Sequence, residues 1–347
     1  MEQFHMSDVI PLLGLPTPPA GKISYYIPCP YCDDKPKSRH LNINLRKDVF
    51  RCPRCGFSGG VFDLYAYYAR IPREQVLSAL RDRLSVPAVR QAFHPPVLVE
   101  ENPLTDVDAR HATYTALLAR LTLASDHREN LLQRGLSQGN ISRLGYKTTP
   151  LVGCSSLVKR LQEEGRYLAG VPGFYKEGGR WSVKFPGRGI LIPVRDAKGR
   201  IQGLQVRLDN AKKRKFRWVS SAGLPEGCGA KTWVHLAGDP RPLVLLTEGP
   251  MKADIIHALT GQTVLAVPGV NSLSQLRPVI EKLRAAGMEK VMTAFDMDYL
   301  TNPHVLQGQE SLAHLLDQCG ISYGTYLWDP RYKGLDDYIW GCLCGPK

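Results

Sequence analysis

Short apolar runs that end at a turn signal recur along the chain from residue 243 onward. Leu243–Thr247, Thr263–Val267 and residues 290–295 are three such runs, and Ser322–Leu327 is a fourth. Amphipathic stretches at 251–259, 273–286 and 308–318 separate them. Apolar runs of this length predict buried strands. Their alternation with helices predicts a compact βαβαβαβ unit with a mostly parallel sheet and right-handed crossovers. Upstream, Ile190–Arg195 and Arg200–Arg207 flank Asp196-Ala-Lys-Gly199, an antiparallel hairpin signal with glycine at the turn. Residues 108–147 are helical in pattern, divided by Gly135 and Gly139, and helices are also predicted over 61–68 and 73–84. A short helix is expected within 4–13, cut by Pro11 and ended by Gly14. Leu41–Leu45 and Asp48–Cys52 alternate apolar and polar residues, as two strands of a ribbon do. The Pro- and acid-containing stretch from His94-Pro-Pro to Asn102-Pro103 reads as an interdomain linker. The pattern predicts a multidomain α/β chain: a ribbon domain over 1–90, a linker over 91–107, a helical segment and strand-rich subdomain over 108–240, and an α/β domain with a tail over 241–347.

The ribbon carries the clearest chemistry. Cys29-Pro-Tyr-Cys32 and Cys52-Pro-Arg-Cys55 stand nineteen residues apart, a C-x2-C-x19-C-x2-C spacing that fits one zinc ion held by two knuckles. Four thiolates fill a tetrahedron, so the zinc is expected to be structural and His40 to be a surface histidine. The chain has nine cysteines, and its N-terminus lacks a basic segment followed by an apolar one, so thiolate ligands are expected rather than disulfides. No run of 18 apolar residues occurs, so no membrane span is expected. The expected location is the cytoplasm. Cys342 and Cys344 have no second pair at matching spacing and read as plain thiols.

Charge identifies the partner. The chain has 45 Lys and Arg against 32 Asp and Glu, a net +13, which points to an anion, nucleic acid before acidic lipid. Between residues 188 and 217 ten basic residues face two acids, so these 30 residues contribute +8. A field that concentrated is a phosphate-binding footprint, and Phe216 and Trp218 lie within it. On the ribbon, Arg39, Arg46, Lys47, Arg51 and Arg54 are interleaved with Tyr31 and Phe50, a composition suited to single-stranded nucleic acid. Finally, the strand runs at 243–247 and 290–295 end in carboxylates, Glu248 and the Asp296/Asp298 pair. Ligands in parallel sheets bind past the carboxyl ends of the strands, and carboxylates there suit Mg²⁺.

In this order, the parts resemble the bacterial replicative DNA primases of the DnaG type. The four-cysteine ribbon resembles the primase zinc ribbon, with Cys32 where that family usually has histidine. Gln133-Arg-Gly-Leu136-Ser and Leu144-Gly-Tyr146 resemble the short helical segment ahead of the catalytic core. Gly189–Arg207, Arg217–Ser221 and Lys231–His235 resemble the core's basic subdomain. Thr247-Glu248-Gly-Pro-Met and Phe295-Asp296-Met-Asp298 resemble the two signatures of the Toprim fold. The resemblance implies a DNA-directed RNA polymerase that makes short RNA primers on a single-stranded DNA template from nucleoside triphosphates. It implies Mg²⁺ or Mn²⁺ on Glu248, Asp296 and Asp298, with Asp336 a further acidic contributor. It also implies template or triphosphate contacts by Arg188, Arg195, Arg207, Arg217, Trp218 and Lys231. A replicative helicase is an expected partner. Since the family's helicase-binding domain does not follow the Toprim part, a phage, plasmid or other mobile-element version is expected. The match departs at Lys252, where the family often has an acid, at Gly334, where it has another, and after Asp298, where Tyr299-Leu-Thr-Asn-Pro-His304 replaces the usual glycine. These departures motivate an alternative, a DNA-binding relative that has lost catalysis. A Toprim topoisomerase or nuclease is a third reading.

Overall fold

A computed structural model of the chain describes residues 4–19, 22–32, 39–84, 101–211, 215–269, 273, 275–296 and 303–344, with the backbone alone for 303–307. Asp298, the run Lys212–Arg214 and most of the expected linker lie outside the described residues. The chain forms two compact units, Met1–Glu100 and Glu101–Lys347.

In the first unit, helix α1 (Met6–Leu12) precedes strands β1 (Ser24–Ile27), β2 (Leu41–Asn44), β3 (Val49–Arg51) and β4 (Ser58–Gly60), then helices α2 (Val61–Ala69) and α3 (Val76–Leu84). The strands make one antiparallel sheet in chain order. Alternation explains β2, whose Leu41 and Ile43 are buried and whose asparagines are half-buried. β1 alternates as well, with Tyr25 and Ile27 buried, whereas Ser58-Gly-Gly60 of β4 carries almost no side chain to alternate. Ile27, Leu41, Ile43 and Phe50 share a core with Leu64 and Tyr65 of α2 and Val76 and Leu80 of α3. This corrects one expectation. Phe50 is only 1% exposed, so it is a core residue and not a stacking surface for bases. At the β2–β3 turn, Asp48 accepts from the Met6 N–H at 2.8 Å and pairs with His5 Nδ1 at 2.7 Å, which pins α1 to the sheet.

The second unit opens with three helices, α4 (Val107–Ala119), α5 (Ser125–Gln133) and α6 (Gln138–Leu144). After them come the short strand β5 (Lys147–Thr148), helix α7 (Cys154–Glu163) and a hairpin of β6 (Phe174–Glu177) and β7 (Arg180–Val183). Strands β8 (Gly189–Arg195), β9 (Ile201–Leu208) and β10 (Phe216–Trp218) follow, and with β5 they form an antiparallel sheet in the order β10-β9-β8-β5. The expected hairpin is β8–β9, with an irregularity in register at Val194/Arg195. Residues 101–106, at the end of the expected linker, are hydrogen-bonded into this unit: Asn102 N donates to Gly227 O at 2.7 Å and Thr105 N to Gly170 O at 3.0 Å.

The rest of the unit is an α/β layer. It holds β11 (His235–Ala237), β12 (Leu243–Glu248), α8 (Pro250–Thr260), β13 (Val264–Val267), α9 (Leu276–Ala285), β14 (Lys290–Thr293), α10 (Pro303–Gln318), β15 (Ser322–Thr325) and α11 (Leu335–Cys344). Its sheet runs β11-β13-β12-β14-β15, parallel throughout except for the edge strand β11. Leu246, Leu265, Val291 and Phe295 pack on one face with Ile280 and Leu316. Leu245, Val264 and Ala266 pack on the other with Ile256, Trp328 and Leu335. Burial on both faces is why these strands read as continuous apolar runs.

The helical hairpin α5–α6 is the wedge between the two sheets. Leu131, Leu136, Ile141 and Leu144 share a core with Ile190 and Ile192 of β8 and with Met251 and Ile255 of α8. A buried polar network closes the same junction. The Arg195 backbone N–H donates to His235 Nδ1 at 2.9 Å, His235 Nε2 pairs with Asp254 Oδ1 at 3.1 Å, and the Tyr146 hydroxyl donates to Asp254 Oδ2 at 2.6 Å. Burial, reinforced by the Asp254 carboxylate, holds the Tyr146 phenol well above its ordinary pKa, so it stays a donor. Removing one partner of a buried network leaves the other unsatisfied. Tyr146→Phe is therefore expected to cost about 1–3 kcal/mol of unfolding free energy, measured by urea denaturation. An unchanged midpoint would refute the role given to this network.

Candidate functional site

The four ribbon cysteines converge. Cys29 Sγ lies 3.5 Å from Cys55 Sγ and Cys32 Sγ lies 3.6 Å from Cys52 Sγ, and all four sulfurs fall within 4.8 Å of one another. Thiolates about 2.3 Å from a central Zn²⁺ in a tetrahedron sit about 3.8 Å apart, so the set fits one such ion. Burial opposes ionisation of Cys52, but backbone N–H groups at Cys55 and Arg54 win and bring its thiol down to about 7. His40 is not among the grouped ligands. Beside the knuckles, Tyr31 is 59% exposed and packs against Phe57 at 4.7 Å and Tyr67 at 5.1 Å. Arg39, Arg46, Lys47, Arg51 and Arg54 are all exposed.

The basic positions of the second unit divide by environment. Arg188 is held by two acids, through Asp126 at 2.9 Å and through Asp209. Asp209 also meets His127 Nε2 at 2.8 Å. Asp126, His127 and Asp209 could together face a metal ion, but the Arg188 guanidinium already pairs with both carboxylates, so the cluster is an ion-pair network. It lines a cleft of about 710 Å³ with Asn130, Arg207 and Asn210. Arg195 is half-buried, donating to Gly199 O at 3.0 Å and Leu144 O at 3.2 Å, which makes it a brace for the hairpin turn. Arg207 reaches Asn130 Oδ1 at 3.5 Å. Register places Phe216 opposite Arg207 and Trp218 opposite Gln205. Both pairs lie on the sheet face that also carries Ile190 and Ile192. Phe216 is 43% exposed, Trp218 packs edge-on against Trp233 at 5.4 Å, and Arg217 and Lys231 are exposed.

At the α/β layer the strand ends decide the geometry. β12 and β14 pair in parallel with Leu246 opposite Thr293, and Ala294 N donates to Leu246 O at 2.7 Å. Glu248 and Asp296 therefore leave adjacent strands in the same direction. Gly249 has φ +80 and leads directly into α8, so Lys252 lies in the first turn of that helix. The Lys252 ammonium contacts Asp296 Oδ1, and Lys333 Nζ is 3.8 Å from Asp296 Oδ2. Asp336, in the first turn of α11, is 2% exposed, and its Oδ2 accepts from Arg134 at 2.8 Å. Its Oδ1 has no hydrogen-bond partner among the described residues. Gly334 lies between these groups: a Cβ there would come within 2.4 Å of Asp336 Oδ1 and 3.5 Å of both Asp296 Oδ1 and Lys252 Nζ. Among the described residues, Glu248, Asp296 and Asp336 do not converge within 4.8 Å as one ligand group.

Arg134 is the residue that the sequence pattern missed. It ends α5 and pairs with Asp336. Burial lowers the Arg207 pKa, and the like charge of Arg134 lowers it further. The adjacent Gly135 has φ +93 and a built Cβ only 2.8 Å from the Trp340 ring, a contact that requires glycine. Gln133-Arg-Gly-Leu136 was legible as a motif, but its target, more than two hundred positions away in α11, was not.

No family model matches the chain, and no curated protein matches it in sequence. Among solved structures, the zinc-binding and RNA polymerase domains of the Aquifex aeolicus primase are similar, with a TM-score of 0.50 and 18% identity over 96% of this chain and 80% of that one. The RNA polymerase domain of the Mycobacterium tuberculosis primase DnaG gives a TM-score of 0.50 and 20% identity over 69% of this chain and 80% of that one. The likeness is one of fold: a multidomain α/β chain with a four-cysteine cluster, built as in primase zinc-binding and RNA polymerase domains.

Thiolate ligands must lose their protons to bind a metal. Metal content, measured by elemental analysis of dialysed protein, is expected to be about one ion per chain at neutral pH and to fall as the pH is lowered. Cys52→Ser should lose most of it and render the first unit protease-sensitive. Full metal retention in that variant would overturn the four-cysteine assignment.

Proposed function

We propose that a chain with this primase fold is itself a DNA primase: a nucleotidyltransferase that makes short RNA primers on single-stranded DNA. The observation that carries this reading is the joint placement of two things. Glu248 and Asp296 leave neighbouring parallel strands together, and a basic antiparallel sheet is locked against the same layer through α5–α6. One Zn²⁺ on Cys29, Cys32, Cys52 and Cys55 would stabilise the ribbon, and the exposed arginines and Tyr31 beside it would engage the template.

Carboxylate oxygens are hard ligands of the kind that suits Mg²⁺ or Mn²⁺, and Glu248, Asp296 and Asp336 would supply them. Asp336 Oδ1 is a buried acceptor with no partner among the described residues, and Glu248 is half-buried at the end of β12. Asp298, two positions beyond Asp296, would complete the set. When bound, such ions lower the cost of charge on the attacking and departing oxygens. The chain's own groups do the rest. Arg207, Arg217 and Lys231 would hold phosphates, and Phe216 and Trp218 offer rings to bases. Arg188 and Arg195 would act mainly as braces, since both are engaged by neighbouring acids or carbonyls. In the reaction the primer 3′-oxygen bonds to the α-phosphorus of a nucleoside triphosphate, the bond to the β-phosphate oxygen breaks, and pyrophosphate leaves. A helicase partner, a mobile-element origin and a cytoplasmic location belong to the same reading; among the described residues no helix is long and apolar enough to cross a membrane. The Toprim character of the layer belongs to it as well.

A second reading rests on one observation: Lys252 occupies Asp296. A relative that binds DNA but has lost catalysis would look this way. Incubation with single-stranded DNA, ribonucleotides and Mg²⁺ or Mn²⁺ separates the two. The primase reading expects short RNA products, and Glu248→Gln should reduce them on the order of 100-fold, the scale for losing one electrostatic contact at a reacting centre. No product on any template would favour the second reading. Arg217→Ala is expected to weaken single-stranded DNA binding similarly across sequences and to lower the salt slope by about one, read by fluorescence anisotropy. An unchanged slope would remove Arg217 from the phosphate contacts.

A further inference from the structure

We propose that the four ribbon cysteines form a reversible redox staple: under peroxide they pair across the knuckles, Cys29 with Cys55 and Cys32 with Cys52, so that two disulfides take over the join a metal ion makes. The inference rests on the zinc reading of these sulfurs and concerns what they do when the ion is lost.

Three observations carry it. First, close sulfur contacts run between the knuckles. Cys29 Sγ is 3.5 Å from Cys55 Sγ, and Cys32 Sγ is 3.6 Å from Cys52 Sγ. A shift of roughly 1.5 Å brings either pair to the bonded distance of about 2.05 Å. Inside each knuckle the first sulfur is turned to the backbone instead. Cys29 Sγ accepts from the N–H groups of Tyr31 and Cys32, and Cys52 Sγ from those of Arg54 and Cys55. Second, each cross-knuckle pair joins a sheltered sulfur to a reachable one. Cys29 and Cys52 are buried, Cys32 is half-buried and Cys55 is exposed. An oxidant from solution meets Cys55 first, and the sulfur that resolves it lies beneath. Arg51 and Arg54 are exposed beside Cys52 and Cys55, and positive surroundings favour the reactive thiolate. Third, the knuckles close a core. Cys29 and Cys52 belong to the apolar cluster of Ile27, Leu41, Phe50 and Leu64. A bond across the knuckles keeps that cluster closed, whereas a bond within one knuckle does not.

The chemistry balances with peroxide as the oxidant. The Cys55 thiolate takes one oxygen from hydrogen peroxide, the O–O bond breaks, hydroxide leaves, and the sulfur becomes a sulfenic acid. The Cys29 thiolate then attacks that sulfur, the S–S bond forms and a second hydroxide leaves. Cys32 and Cys52 repeat the sequence with a second peroxide. Each of the four thiolates gives up one electron, and the two peroxides accept them. Disulfide sulfurs are no longer thiolate ligands, so the set releases its ion. A thiol reductant reverses both bonds. A histidine at position 32 could ligate zinc but could not form the second bond, so the complete staple needs all four cysteines.

The test follows metal, bonds and fold together. Zinc-loaded full-length protein carrying Cys342→Ser and Cys344→Ser, which removes two exposed thiols outside the ribbon, is treated with hydrogen peroxide. Zinc is read with a chromogenic chelator, disulfides by mass spectrometry of unreduced peptides, and the ribbon's integrity by limited proteolysis. About one zinc per chain is expected to leave for every two peroxides consumed. Cys29–Cys55 and Cys32–Cys52 should be the bonds found, in a ribbon as protease-resistant as before. Dithiothreitol and zinc should restore the starting state. Chelation under reducing conditions supplies the contrast: the same zinc loss, with the ribbon cleaved roughly 10-fold faster. Zinc retained in excess peroxide, disulfides in any other pairing, sulfinic or sulfonic acids in their place, or an oxidised ribbon cleaved as fast as the chelated one would each overturn the inference and leave the zinc reading intact. A reduced protein that takes up no zinc would overturn both.

Discussion

Within the second unit, the basic sheet and the α/β layer are joined by a buried contact among three distant segments: Tyr146 at the end of the helical hairpin, His235 on the edge strand of the parallel sheet and Asp254 in the helix after Glu248. Arg195 of the basic sheet joins through its backbone N–H. All three side chains are almost wholly shielded from water. A hydrogen-bonded network in that environment tolerates little displacement, because any lost bond leaves a desolvated group behind. The surrounding apolar core of Leu131, Ile141, Ile190, Ile192, Met251 and Ile255 supplies the burial, and the polar network supplies the register. Together they hold the basic antiparallel sheet and a carboxylate-bearing strand end in one fixed relation.

Arg134 extends that relation to the acids. It leaves α5 one residue before a glycine whose left-handed backbone lets Trp340 pack close, and its guanidinium reaches the buried Asp336. The helical segment therefore does more than space two subdomains. It carries a charge from the basic sheet's side of the junction to the last carboxylate. Asp296, by contrast, meets lysines. The acids of the layer stand in unlike surroundings, one braced by arginine with an open oxygen and one neutralised by ammonium groups, and unlike surroundings give unlike roles.

The basic residues show a similar division. Ten in a 30-residue stretch look equivalent as a composition. In the fold, Arg188 and Arg200 are committed to acids and Arg195 to backbone carbonyls, while Arg217 and Lys198 face solvent. Among the described residues of this stretch, those of the latter kind leave their charge toward solvent, so composition alone overstates how much of it is uncommitted.

What the sequence determined by itself were the features set by short-range spacing. The four cysteines, the β8–β9 hairpin, the alternating strands and helices after residue 243 and the emergence of Glu248 and Asp296 at strand ends are of this kind, because strand period, turn residues and knuckle spacing act within a few residues. Phe50 shows where this fails: alternation marks two faces but does not say which one is covered, and helices α2 and α3 cover that side. Only the tertiary structure decided which charges meet. Arg134 and Asp336 are 202 positions apart, Lys252 and Asp296 are 44, and Tyr146 and Asp254 are 108. Each pairing is made by the packing of whole elements, and local pattern carries no information about a partner that arrives from another part of the chain.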